Sequence, residues 1–445
     1  MPRQNLFILL IVSILSVVCY RQADNAHRSE RGRMFDTFNE VLSEVDQKYL
    51  RKVESRQLFE GALQGMMSTL DPYSAYIGPE QYAEFVATLE QKFGGIGIEV
   101  SQDPDKGVLT VTTPIADSPA FAAGIRAGDV ILSIDGESTQ GLEINDVVGR
   151  LRGSRGVVQL TVLHKGETEP TEIAISRGVV PVASVLGGKR DERARWDFFL
   201  PGQDRIGYVR VTNFGENTVD ELKSALADVT ARDARGLILD LRNNSGGVLK
   251  QAIATCDLFL RGGRIVSTRG RNGDEIESWD ASGKAPYAQL PLVVLVNQRT
   301  ASAAEIVAAA LQDQHRAIIV GQRTFGKGTV QNVIRLEGGT SLLKLTTASY
   351  WRPNGRDIHR HPDVKDQETW GVQPDPGFDV PIDDDQYADL VRKRHEGDVI
   401  RSSPTVPAGE SEGLADAALQ SDVQLQKAVA ALTSQLATRQ STDPP

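Results

Sequence analysis

The sequence predicts an α/β and β multi-domain chain with a helical amino-terminal region, and three observations predict it. Residues 178–383 alternate short, continuously apolar strands with helical runs, 93–177 hold β-branched segments punctuated by glycine, and 34–92 space apolar residues at three and four. With 445 residues, 40% of them hydrophobic, the chain is long enough for two or three domains with real cores. A net charge of −10 with no offsetting basic stripe argues against nucleic acid as a partner.

Residues 1–20 read as a signal peptide or a membrane anchor. Leu6 to Val18 is an apolar run preceded by Arg3. At about 1.5 Å per residue it is short for a membrane span and fits the core of a signal peptide. No clean Ala-x-Ala follows, and Val18 is larger than the small residue that should precede a lipoprotein cysteine at Cys19, so a retained anchor stays open. Arg21, Arg28, Arg31 and Arg33 weigh against a simple amino-terminus-inside orientation. The expectation is export to a periplasm or cell envelope, with attachment to the inner membrane as an option.

Residues 34–92 form the helical region. Phe35, Phe38, Val41, Leu42 and Val45 share one helical face, and a second run, Leu58 to Leu70, stops at Asp71-Pro72. Its expected role is scaffold.

Residues 93–177 form the β domain. Val108 to Thr112, Asp129 to Ile134 and Val157 to Leu163 are strand-like, and Asp135-Gly136 marks a turn. Ahead of them, Gly95-Ile96-Gly97-Ile98 can bend so that successive N–H groups converge on a chain-terminal carboxylate, with the peptide then adding as a strand beside Ile98 to Val100. A glycine hairpin without a ligand is the alternative. There is no third glycine at the dinucleotide spacing.

Residues 178–383 form the α/β core. Ile206 to Val211 is a strand, Thr218 to Ala231 an amphipathic helix, and Gly236 to Leu241 a buried strand that ends in Arg242-Asn-Asn-Ser-Gly-Gly247. Leu292 to Val296 is a second buried strand, and Ser302 to Gln312 an Ala-rich helix. Cys256 lies in a helical run as a small buried residue and leaves the folded part without an internal disulfide. Beyond Asp384 the chain turns charged. Ser402 to Gly409 reads as a linker, and Val423 to Leu436 regains helical spacing, to dock on the core or join another copy; 384–445 is thus linker and helix.

Two side chains carry chemistry. Ser302 sits at the strand-to-helix turn Asn297-Gln-Arg-Thr-Ala-Ser302, beside helical N–H groups able to stabilise an oxyanion. Lys327 lies between Gly326 and Gly328, and a lysine in a dry site can lose its proton near neutral pH and serve as a general base. Each has a plainer reading. Ser302-Ala-Ala-Glu305 spells a capping box, and a lysine in a turn is commonly solvated. The alternation Lys327, Thr329, Gln331 favours the functional reading, because on a strand Gln331 would share a face with Lys327 and could hold it by a hydrogen bond.

The chain resembles the carboxy-terminal processing (tail-specific) proteases, roughly from Phe35 to Asp383. The resemblance rests on Leu70-Asp-Pro-Tyr-Ser-Ala-Tyr76, Gly94-Gly-Ile-Gly-Ile-Glu99, Ala123-Gly-Ile-Arg-Ala-Gly-Asp129 through Gly136, Leu239 through Gly247, and the serine and lysine segments, in the family's order. It implies a PDZ domain over the β region, with Gly95, Ile96, Gly97 and Ile98 binding the peptide, and a core similar to the Clp-protease/crotonase spiral. It implies a serine endopeptidase with a Ser302–Lys327 dyad, Gln331 in support, and an oxyanion hole from Gly246 or Gly247 and Ala303. Some descriptions of the family add an acid at Asp313. Along the helix that residue lies roughly 16 Å from Ser302, too far for direct contact. Two positions depart from the family pattern: Thr300 for Ser, and Ser245 for the Pro before the paired glycines, which bears on loop rigidity. No cofactor is implied. The partners implied are protein substrates with flexible apolar carboxy-terminal tails, optionally an adaptor protein or further copies of the chain.

Two rival readings stand beside this one. The first is another hydrolase, with His315 serving Ser302 or with His359 and His361 binding a metal, although no third ligand is evident. The second is a non-catalytic PDZ adaptor that only binds tails.

Overall fold

The computed structural model describes residues 12–18, 30–90, 92–102, 107–153, 155–191, 195–203, 205–361, 369–400 and 421–442. The linker 402–409 and Cys19 lie outside them, as does part of the apolar amino-terminal run. The chain divides into two units, 1–78 with 333–345, and 79–332 with 346–445.

In the first unit, helices Glu30–Lys48 and Ser55–Ser68 precede the short strand Ala75–Ile77, which pairs antiparallel with Leu342 to Lys344. The second helix ends at Ser68, just before the expected Asp71-Pro72 stop. Beyond it, the Asp71 carboxylate accepts N–H bonds from Tyr73 (2.7 Å) and Ser74 (2.8 Å) and so fixes a turn. Arg56 then reaches Glu337 and the Tyr76 hydroxyl. The apolar stripe of the first helix leaves Met34, Phe35, Phe38 and Val41 exposed. Among the described residues no helix is long and apolar enough to cross a membrane.

The second unit holds the β domain and the α/β core. In the β domain, strands Ile98–Gln102, Leu109–Pro114, Val130–Ile134, Val157–Leu163 and Thr171–Ser176 run antiparallel in that order, with Ile98–Gln102 at an edge. The alternation in Val157–Leu163 sends Val158, Leu160 and Val162 into a core with Ile96, Val111, Ile131 and Val147, the last from helix Ile144–Leu151.

The core is a five-stranded sheet in the order Val185–Leu186, Ile206–Val211, Gly236–Asp240, Leu292–Val296, Ile318–Gly321, parallel except for its first strand. Both faces are covered, which is why Leu292–Val296 is apolar at every position. Leu292, Val294 and Val296 face helices Thr218–Ala231, Leu249–Asp257 and Ala303–Asp313, whereas Val293 and Leu295 face Leu425, Ala428 and Leu432 of the carboxy-terminal helix Val423–Thr442. That last helix therefore docks on the core, the first of the two alternatives. Helix Asp384–Asp398 lies where the sequence suggested only a charged stretch; Asp383 and Gln386 cap its start reciprocally.

Candidate active site

Three adjacent parallel strands end at one edge of the core sheet, where ligands bind in open α/β folds. The loop after Gly236–Asp240 carries Gly246-Gly247, the turn after Leu292–Val296 carries Ser302, and the loop after Ile318–Gly321 carries Lys327. The topology thus joins segments far apart in sequence.

Ser302 begins helix Ala303–Asp313 with φ 55° and ψ −118°, a backbone state that costs a non-glycine residue about 1–3 kcal/mol. Neighbours on both sides enforce it. Ala301 N–H donates to Asn244 O at 2.8 Å, and the Thr300 hydroxyl donates to Leu241 O at 2.8 Å. Gly246, at φ +101°, sits so close that a Cβ there would lie 2.8 Å from Ser302 Cβ and 3.0 Å from Ala303 N. Only glycine lets the loop approach the serine and the first helical amide this closely. Asn244 holds the loop: its Oδ1 accepts from Gly246 N–H and its Nδ2 donates to Val211 O, both at 2.8 Å. Those bonds restrain the loop on either side of Ser245. Of the two glycines, Gly246 therefore has its amide already engaged by Asn244.

The residue that unites the site is Glu305, which the sequence marked only as a cap. Its Oε2 accepts from Ser302 N–H and Lys327 N–H, each at 2.8 Å. Its Oε1 accepts from the Thr324 hydroxyl at 2.5 Å and Gly326 N–H at 2.7 Å. One carboxylate oxygen therefore joins the backbone of the serine to that of the lysine. Phe325 N–H adds a direct bond to Thr300 O at 2.9 Å. Glu305 is fully buried, and burial pushes its carboxyl up to about 7 against the opposing pull of its four donors. The available signal was an acid near the start of a helix whose residues Ala303 to Leu311 are otherwise apolar.

Gln331 lies on strand Thr329–Leu336, but the strand begins after Lys327, so the expected alternation of Lys327, Thr329 and Gln331 along one strand holds only for the last two. Its Nε2 donates to Thr329 Oγ1 at 2.7 Å and Thr346 Oγ1 at 3.3 Å, which holds the side chain to those two threonines. Asp313 belongs elsewhere. At the far end of the serine helix it forms a two-pronged pair with Arg352 (2.6 and 3.1 Å) and accepts from Asn354, so the catalytic reading gives way to a helix-end ion pair. His315 is exposed past that same end, which removes it as a base for Ser302. His361 pairs with Asp357 at 3.0 Å, and among the described residues no group of three or more His, Cys, Asp or Glu side chains is placed to hold a metal. Cys256 is buried, and burial raises its thiol pKa, so it is no nucleophile.

In the β domain, the carbonyls of Ile96 and Gly97 accept from Ala120 N–H (2.8 Å) and Ile115 N–H (2.9 Å). Gly97 has φ +82°, and a Cβ on it would fall 2.2 Å from Ser118 Cβ. The Gly95 to Ile98 turn is thus anchored by its carbonyls and leads directly into edge strand Ile98–Gln102.

Residues 205–376 match the peptidase family S41 model, 86–163 the PDZ domain model, and 16–81 the model of the activating protease CtpB N-terminal domain. The carboxy-terminal-processing protease of Bartonella bacilliformis is 36% identical over 81% of this chain and 81% of its own length. The chain belongs to the carboxy-terminal-processing proteases of family S41. The Synechocystis carboxyl-terminal-processing protease is 37% identical over 76% of this chain and 75% of its own, and Bacillus subtilis CtpA 35% over 73% and 67%. A proposed S41 protease of Bacteroides fragilis, 18% identical, shares the fold with TM-score 0.51 over 85% of this chain and 96% of that one. The chain is therefore a serine peptidase with a PDZ domain, acting on protein substrates, and the adaptor-only reading falls.

Proposed function

We propose that this S41 peptidase is exported and cuts near the carboxy terminus of proteins with flexible apolar tails, using Ser302 as nucleophile and Lys327 as general base. The observation that carries this reading is the single Glu305 oxygen bonded to both residues' amides. The turn at Gly95 to Ile98 takes the tail's carboxylate, and the tail extends along the edge of Ile98–Gln102. Neutral Lys327 takes the Ser302 proton as Oγ attacks the peptide carbonyl. The N–H groups of Gly247 and Ala303 face the oxyanion. The protonated lysine passes its proton to the leaving amine, and water, deprotonated by the lysine, releases the acyl group. Gln331 steadies the strand beside the lysine.

Export rests on the apolar run Leu6 to Val18, and that run would also provide inner-membrane attachment. The exposed Met34, Phe35, Phe38 and Val41 favour self-association, and an adaptor could deliver tails to the PDZ domain. The test is mass spectrometry of a flexible protein with an apolar carboxy terminus, incubated with wild type, Ser302→Ala, Lys327→Ala and His315→Ala. Cleavage by wild type and His315→Ala only is expected, with a loss of at least 10³-fold in the other two. Cleavage that survives Lys327→Ala would refute the assigned base.

A further inference from the structure

The two loops that meet at the serine are also held from outside by a helix that neither the protease model (205–376) nor the PDZ model (86–163) covers. That helix is Asp384–Asp398. Its Tyr387 hydroxyl donates to Asn243 Oδ1 at 3.0 Å, and the Tyr387 ring lies 4.7 Å beneath the Arg299 guanidinium. Asn243 belongs to the glycine loop and Arg299 to the serine turn, so one side chain touches both. Beneath it the loops grip each other: Asn243 N–H donates to Asn297 Oδ1 at 3.0 Å, and Asn297 Nδ2 donates back to Asn243 Oδ1 at 2.9 Å. Asn243 has φ +64°, a left-handed state that asparagine tolerates and that sets the chain's direction toward Gly246.

The rest of the helix is fastened at intervals. Arg394 pairs with Asp240, the last residue of the strand that feeds the glycine loop. Asp398 pairs with Arg210 on the neighbouring strand, and Asp398 O accepts from Arg190 Nε at 3.2 Å. Ile400 N–H donates to Thr113 Oγ1 of the PDZ domain at 3.0 Å in a buried contact.

We infer that helix Asp384–Asp398 is a strap that sets the relative position of the glycine loop and the serine turn, with Tyr387 as the positioning residue that joins them. Tyr387 acts through Asn243 and Arg299. Its effect is on the aim of the oxyanion donors, which matter in the transition state more than in the bound substrate. The inference rests on the proposed reading of those loops as the oxyanion side of the site.

The test uses the full chain with Tyr387→Phe, which keeps the ring and removes the hydroxyl. Arg392→Ala is the control, because Arg392 pairs only with Asp389 and Glu396 of the same helix among the described contacts. Tyr387→Phe should lower kcat about tenfold, part of the 10²–10³ that follows loss of a whole oxyanion donor. KM should stay within about twofold, and a peptide aldehyde whose adduct carries an oxyanion should bind about tenfold more weakly. Hydrogen exchange should quicken in 241–248 and 297–303 alone. Arg392→Ala should match wild type in all four. Unchanged kcat and exchange in Tyr387→Phe, or a rise in KM alone, would overturn the strap. If wild type cleaves nothing while exchange changes as expected, the strap stands and the catalytic reading fails.

Discussion

A single buried carboxylate decides the geometry of this site. Glu305 accepts four donors, from Ser302, Thr324, Gly326 and Lys327, and among the described bonds no other acid accepts from the amides of both Ser302 and Lys327. Glu305→Ala should lower kcat at least tenfold, with Glu305→Gln between it and wild type, because a glutamine offers one acceptor oxygen and turns an N–H₂ toward donors. Steady-state kinetics of the two variants checks this. The pH effect on stability has a definite sign. The carboxyl's folded value of about 7 exceeds its unfolded value near 4.3, so the folded state holds the proton longer and stability falls as pH rises between them, by on the order of 3 kcal/mol. Urea midpoints at pH 5 and pH 8 should differ less in Glu305→Gln than in wild type. At the PDZ end, Gly97→Ala should weaken binding of a fluorescent apolar tail at least tenfold, read by polarisation, since its Cβ would collide with Ser118. The segments that carry Ser302, Lys327 and Gln331 stood out in the sequence because their motifs are local. Glu305 did not, because its partners Gly326 and Lys327 lie beyond the next strand, and the capping box explained it sufficiently at short range.

At the scale of elements, strands with both faces buried and helices with strong periodicity were read correctly, such as Leu292–Val296 and Thr218–Ala231. Helix Asp384–Asp398 was missed because it buries no residue fully and is held by charge pairs, so it has no apolar stripe to announce it. The carboxy-terminal helix was legible as a helix. Its polar anchor was not. Asp422, just before it, pairs with Arg242 at 2.8 Å, and Gln424 adds a bond at 3.1 Å, deep under the strand that feeds the glycine loop. Arg242 and Asp240 are themselves paired at 2.7 Å, with side chains 0% and 1% exposed. Asp422→Asn leaves part of a buried positive charge uncompensated and should cost on the order of 3 kcal/mol in urea unfolding. Burial alone would raise the Asp422 carboxyl, but the Arg242 guanidinium outweighs it and holds the pKa below the usual value. That contribution is therefore complete above about pH 4 and is lost as pH falls further.

Over the whole molecule the two charge effects oppose each other: the Asp422–Arg242 pair loses its contribution toward acid, and Glu305 subtracts stability toward neutral pH, so the stability maximum should fall on the mildly acidic side of neutral. A urea series from pH 3 to pH 9 on the full chain would locate it. Overall class was legible because the helical, β and α/β regions differ in periodicity. The meeting of three loops at one sheet edge was not, since it follows from strand order rather than from any one segment. The shared Glu305 oxygen bears on the safety of an enzyme proposed to cut loose chain ends. A newly made or partly unfolded copy is itself full of loose ends, and it lies among others like it. On the proposed assignment of Ser302 as nucleophile and Lys327 as base, the two segments are joined only when that carboxylate is sealed inside the finished core, so an unfinished copy would have no means of cutting its neighbours. Cutting would then begin only once the copy has stopped resembling the substrates proposed for it.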